Sequence, residues 1–132
     1  YHATMPTDGL LRLHSAMAEA RAIGFDTLRA RQVELGGKIR ALLESKGFPS
    51  VAAEGYKASG VVVSYTTDPA IQNGQKFRTL GLQIAAGVPL QCGEGADFRT
   101  FRLGLFGLDK WQAVDRTVGS FAQALDQVLA SA

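Results

Sequence analysis

The sequence has 132 residues, with 14 basic and 12 acidic side chains, one cysteine and 46% hydrophobic residues, a composition that predicts one domain with a modest core. The interleaved charges argue against a nucleic-acid partner, and the single Cys92 cannot build a disulfide framework or a thiolate metal site. No apolar run reaches the roughly 18 residues of a membrane span and no signal-peptide pattern opens the chain, so we expect a cytoplasmic protein without a membrane partner. Because the chain opens with Tyr1 instead of Met, we also expect an upstream part that has been removed.

The first third of the chain has the periodicity of helices. Residues 1–8 form a predicted extended segment, in which Thr7 and Asp8 are both good N-cap candidates for the first helix. Residues 9–47 then form a predicted helical arm, with a break or bend at Gly24.

The middle of the chain alternates between strand and helix signals. Residues 60–66 are β-branched and aromatic and predict the first strand. Residues 73–82 carry apolar side chains at helical spacing and predict a short helix. Residues 83–88 predict a second strand, the Gly-rich stretch 93–97 a surface loop, and residues 97–105 a third strand.

Alternation along the third strand places Arg102 and Gly104 on one face and Phe101 and Leu103 on the other, and the second face is the predicted core face. Arg102 is then either paired on the sheet surface or directed into a cleft, where Gly104 leaves room for a ligand. Since most arginines on small sheets are solvated, the strand alone favours the surface pair. Arg99 and Leu105 share the predicted core face, and Phe98 and Thr100 share the face of Arg102.

The chain closes with an amphipathic helix in which apolar side chains recur from Trp111 to Val128. Asp109, with Gln112 three positions later, is its predicted N-cap. Together these elements predict an α+β fold, a small and mostly antiparallel sheet with helices on one face.

Few residues offer catalytic chemistry of their own. His2 and His14 have no serine elbow or metal-ligand partner near them, and no His or Lys neighbours Cys92, which we expect to be inert. The phenol of Tyr1 and the hydroxyl of Thr4 can both point at one anion from an extended segment. Alternatively, they only prepare the start of the first helix.

Two motifs resemble the C-terminal portion of class V pyridoxal-phosphate aminotransferases, the group of alanine–glyoxylate and serine–pyruvate aminotransferases. Phe101-Arg102-Leu103-Gly104-Leu105-Phe106-Gly107 is similar to the family's strand and turn of pattern Phe/Leu-Arg-Ile/Leu-Gly-x-x-Gly. Tyr1-x-x-Thr4-x-Pro6, followed by a helix, is the second motif. The resemblance covers the whole chain, in family order, and implies the C-terminal domain of a fold-type I enzyme.

The resemblance implies roles for three residues. Arg102 matches the arginine that binds the substrate carboxylate, and Tyr1 and Thr4 match residues that contact the phosphate of pyridoxal 5'-phosphate in the neighbouring subunit. A homodimer with shared active sites is therefore implied, acting on an amino acid and a 2-oxo acid. The family's Schiff-base lysine has no counterpart here, so the chain alone is expected to be an inactive part of the enzyme. The lysines without a matching setting are Lys38, Lys46, Lys57, Lys76 and Lys110.

Two alternatives remain open at this point. One is another class V enzyme, a cysteine desulfurase or a lyase, which would need a reactive cysteine in a loop such as the one after Cys92. The other is a freestanding α+β ligand-binding or interaction module that shares only the architecture.

Overall fold

The computed structural model describes residues 4–131 and begins with two consecutive helices. Helix α1 spans Thr7–Ile23 and helix α2 spans Phe25–Ser45. Gly24 separates them with a φ of 96°, a backbone conformation that glycine adopts without steric cost. The predicted break at Gly24 is confirmed. The predicted N-cap at Thr7 or Asp8 is wrong, because the N-cap residue of α1 is Pro6 and the helix already includes the last two residues of the predicted extended segment 1–8.

The two helices differ in how they are packed. No residue of α1 is buried, whereas α2 contributes Leu35, Ile39 and Leu43 to the core. Only α1 therefore resembles the expected arm, and α2 is a core helix.

A three-stranded antiparallel sheet follows, in the order β1-β3-β2. The strands are β1 (Val61–Tyr65), β2 (Ala85–Ala86) and β3 (Thr100–Gly104). The predicted strand 83–88 is wrong in length, because the N–H of Gly87 donates to the carbonyl of Gln72 and leaves the ladder. The third strand is also shorter than residues 97–105.

Four further helices follow α1 and α2 in the described part of the chain. Asp68 caps α3 (Pro69–Gln72), which the sequence did not predict, and α4 (Gln75–Thr79) occupies only part of the predicted helix 73–82. The predicted closing helix is divided into α5 (Leu108–Gln112) and α6 (Val114–Ala130).

The predicted N-cap at Asp109 is wrong. Gly107 is the N-cap residue of α5 and Asp109 lies in its first turn. Ala113, with a φ of −142° and a ψ of 60°, is neither helical nor extended and separates α5 from α6. Its backbone leaves the helical region, so one continuous helix cannot form.

The core lies between one face of the sheet and the helices. Val62, Phe101 and Leu103 face α2 and α6, and this arrangement confirms the α+β fold with helices packed on a small sheet. Within residues 4–131, no helix is both long enough and apolar enough to cross a membrane. The buried core residues are Leu35, Ile39, Leu43, Phe48, Val62, Ile71, Phe77, Phe101, Leu103, Leu105, Val114, Leu125 and Val128.

Candidate functional site

Arg102 occupies the middle of the central strand. It is paired with Val63 of β1 on one side and with Ala85 of β2 on the other. Its neighbours in β3, Phe101 and Leu103, are buried in the core. Alternation therefore places the Arg102 side chain on the opposite face, as the sequence predicted.

A hydrogen bond holds one atom of the Arg102 guanidinium in place. Its Nε donates a hydrogen bond of 3.0 Å to the carbonyl of Ala86, and the side chain is half-buried. Within residues 4–131, no carboxylate lies within 4.0 Å of this guanidinium. The surface ion pair that the strand alone favoured is thus wrong, and both Nη groups point to no acidic partner of this part of the chain.

The surface around Arg102 is small and apolar. Ala85, which pairs with Arg102, is exposed, Val61 is 36% exposed and Val63 is half-buried. A Cβ added at Gly104 would meet only the ring of Phe106, at 3.9 Å. This face therefore has room for a ligand or another protein surface against the guanidinium, as Gly104 suggested.

The second pair of predicted residues lies at the start of the chain. Tyr1 is outside the described residues, while Thr4 is exposed and precedes α1. Pro6 is the N-cap residue of α1, no side chain caps this helix, and the N–H of Thr7 bonds to the carbonyl of Met5. Thr4 thus has no capping role, and its exposed hydroxyl has no partner among residues 4–131.

Every lysine of the chain pairs with at least one carboxylate. These ion pairs raise the pKa of Lys38, chiefly through Asp115, and that of Lys57, chiefly through Glu54. A Schiff base needs a neutral amine, whereas these pairs favour the ammonium form of Lys38 and Lys57. The pairs are Lys38–Glu34, Lys38–Asp115, Lys46–Asp126, Lys57–Glu44, Lys57–Glu54, Lys76–Asp68 and Lys110–Asp109.

Cys92 belongs to a loop closed by Glu94. The carboxylate of Glu94 accepts backbone hydrogen bonds from Leu90, Gln91 and Cys92, the last two at 2.8 Å. Bonds from its own N–H, then from those of Cys92 and Gln91, lower the pKa of Glu94 to about 2. The Glu94 carboxylate also raises the pKa of the Cys92 thiol, so the exposed sulfur stays protonated and weakly nucleophilic, as expected from sequence.

One charged residue has a position that the sequence did not single out. Alternation assigned Arg99 to the core face, but it lies just before β3 and lines an open cleft. The sequence did contain a signal for this position, namely an arginine assigned to the core face. A guanidinium is not buried in a core without a partner, so Arg99 had to lie elsewhere.

The chain matches no model of a known protein family and no curated protein sequence.

Proposed function

We propose that this chain is the C-terminal domain of a pyridoxal-phosphate-dependent aminotransferase of class V. In this role Arg102 binds the carboxylate of the amino acid and of the 2-oxo acid. The supporting observation is the half-buried side chain of Arg102 on the sheet face opposite the core, whose guanidinium has no carboxylate within 4.0 Å in residues 4–131.

The local geometry suits two-point recognition of a carboxylate. Because Nε of Arg102 is held by the carbonyl of Ala86, the plane of the guanidinium is restrained. The two Nη groups can then donate parallel hydrogen bonds to both carboxylate oxygens. An ammonium at the same position would supply a point charge without this geometry.

The proposed role of this chain is limited to substrate binding and subunit contacts. Its lysines are ion-paired, so another part of the protein has to supply the Schiff-base lysine. Tyr1 and Thr4 are proposed to contact the cofactor phosphate of the partner subunit. Support for Thr4 is limited to its exposure and its lack of a capping role.

An exposed apolar helix supports the proposed homodimer. In α1, Leu10, Leu13 and Met17 recur at spacings of three and four and are 48%, 55% and 61% exposed. A helix of this length gains most of its stability from packing an apolar face. We propose that this stripe is covered in the complete enzyme, within the subunit or in the dimer.

The test of Arg102 uses the complete enzyme and two substitutions, Arg102→Lys and Arg102→Ala. Loss of a desolvated bidentate pair is expected to cost about 2 to 5 kcal/mol in kcat/KM, whereas a solvated surface group would cost about 0 to 1 kcal/mol. Arg29→Ala, on an exposed position of α2, is the matched control. The absorbance of the bound cofactor should be unchanged in all three variants. Near-wild-type kcat/KM in both Arg102 variants would remove this residue from the site.

The rival functions differ in observable ways. A cysteine desulfurase would need a reactive thiol, which the raised pKa of Cys92 disfavours. A freestanding binding module would show no cofactor absorbance in the full-length protein. An absorbance band that shifts on addition of one amino acid and not another would exclude that module and identify the amino donor.

A further inference from the structure

A cleft of about 840 Å³ opens at the end of the sheet where β1 stops and β3 begins. Its walls are the loop 66–68 after β1, the segment 94–99 before β3 and the last turns of α6. Arg102 does not line it. A cleft of this volume is within the range that small-molecule sites occupy.

Most charged groups in the cleft already have partners in this chain. Asp68 accepts the N–H of Ala70 at 2.7 Å and pairs with Lys76 at 3.0 Å. Hydrogen bonding from Lys76, then from the backbone of Ala70 and Ile71, lowers the pKa of Asp68. Glu94 is occupied by the backbone N–H groups of its own loop. These contacts hold the loop 66–68 and the segment 94–99 in place. They also occupy the carboxylates of Asp68 and Glu94 and the ammonium group of Lys76.

Two basic residues line the cleft, and Arg99 is the one without an ion pair in residues 4–131. The side chain is half-buried, and within residues 4–131 no carboxylate lies within 4.0 Å of it. Its backbone is fixed, because its carbonyl accepts the N–H of Thr66 at 3.0 Å. Asp97, two residues earlier, is exposed and does not neutralise it.

Two aromatic rings line the same cleft as Arg99. The rings of Tyr65 and Phe98 meet edge to face, with centroids 5.7 Å apart, and both line the cleft. Tyr65 is 39% exposed and Phe98 is half-buried, so each ring leaves part of its surface for a further contact. Leu129 of α6 adds an exposed aliphatic side chain.

We propose that this cleft binds a small carboxylate with an apolar or aromatic body. The carboxylate pairs with Arg99, and the body packs on Tyr65 and Phe98. A singly charged carboxylate suits the cleft better than a phosphate, because Asp68, Glu94 and Asp97 would repel a second negative charge. The site is separate from that of the proposed function, since Arg99 lines this cleft and Arg102 does not.

The test measures binding of phenylacetate to the chain by titration of backbone amide resonances. Phenylacetamide, which has the same body without the charge, is the matched probe. We expect saturable shifts at Thr66, Phe98 and Arg99 with phenylacetate, and binding weaker by about ten-fold or more with the amide.

Four substitutions separate the possible sites. Arg99→Gln should weaken phenylacetate binding about ten-fold, and Arg99→Lys, which keeps the charge without the fork, should weaken it less. Arg29→Gln removes the same charge from exposed α2 and should leave binding unchanged. Equal binding of acid and amide, or full binding by both Arg99 variants, would overturn the proposal. Binding lost in Arg102→Gln instead would also overturn it, while supporting carboxylate recognition at Arg102.

Discussion

Gly36 and Gly37 are adjacent in α2, but the structure gives opposite predictions for their replacement by alanine. Helix propensity alone predicts that either change stabilises the protein by about 1 kcal/mol. A Cβ at Gly37 would meet nothing within 4 Å, so Gly37→Ala should show that gain. A Cβ at Gly36 would lie 2.5 Å from the carbonyl oxygen and 2.6 Å from the Cα of Ser59.

The clash at Gly36 cannot be relieved by rotating a side chain, because both contacts are with backbone. Overpacking of a well-packed site costs about 1 to 3 kcal/mol. The helix-propensity gain is common to both variants, so the difference in their free energies of unfolding isolates this cost, about 1 to 3 kcal/mol. Movement of Ser59 would also strain the hydrogen bond of 2.8 Å that its carbonyl accepts from Nε2 of Gln32.

Urea denaturation of the wild type and of the two variants measures the difference directly. Gly36→Ala should unfold at lower urea than Gly37→Ala. If the two variants are equally stabilised, the packing of α2 on the segment before β1 is wrong. That segment leads into the strand that pairs with Arg102, so the position of the candidate site would be wrong with it.

Three further predictions concern the cap, the loop and the exposed helix. Asp68→Ala should destabilise the chain by about 1 kcal/mol in urea denaturation, and Asp68→Asn by less, since Asn still caps α3. Because the pKa of Asp68 is lowered, its charge stabilises the folded chain above about pH 4, and this stabilisation is lost as the pH falls through the lowered pKa. A free energy of unfolding that does not change below pH 4 in the wild type would contradict this. Glu94→Gln should speed alkylation of Cys92 at pH 8, because the carboxylate that raises the pKa of the thiol is gone; an unchanged rate would contradict the contact. Met17→Glu should reduce self-association in light scattering, whereas equal association would show that α1 takes no part in it.

Local sequence signals predicted the elements but not their ends. The break at Gly24 and the β-branched strand β1 both follow from residue type. The length of β2 depends on Gln72, whose carbonyl captures the N–H of Gly87 from outside the sheet. A long-range hydrogen bond of this kind leaves no pattern in the strand itself.

The predicted face of Arg102 is confirmed, but the predicted surface ion pair is not. The difference is that the face depends on local sequence and the ion pair does not. Strand alternation is a local property, and the burial of Phe101 and Leu103 fixes it. An ion pair requires a carboxylate from elsewhere in the fold, which no spacing along β3 can reveal. The sequence therefore placed Arg102 on the correct face of the sheet, but the surface ion pair that it favoured is absent from residues 4–131.

Arg99 and Arg102 together show why the two proposed sites can be tested apart. Arg99 lies just before β3 and lines the cleft at the end of the sheet, whereas Arg102 lies in the middle of β3 and does not line that cleft. Each proposed site therefore has its own guanidinium. Removal of one charge should then leave binding at the other unchanged, since effects at separate sites without shared partners add. A loss of binding in the double variant that exceeds the product of the two single losses would show that both arginines serve one site, contrary to this geometry.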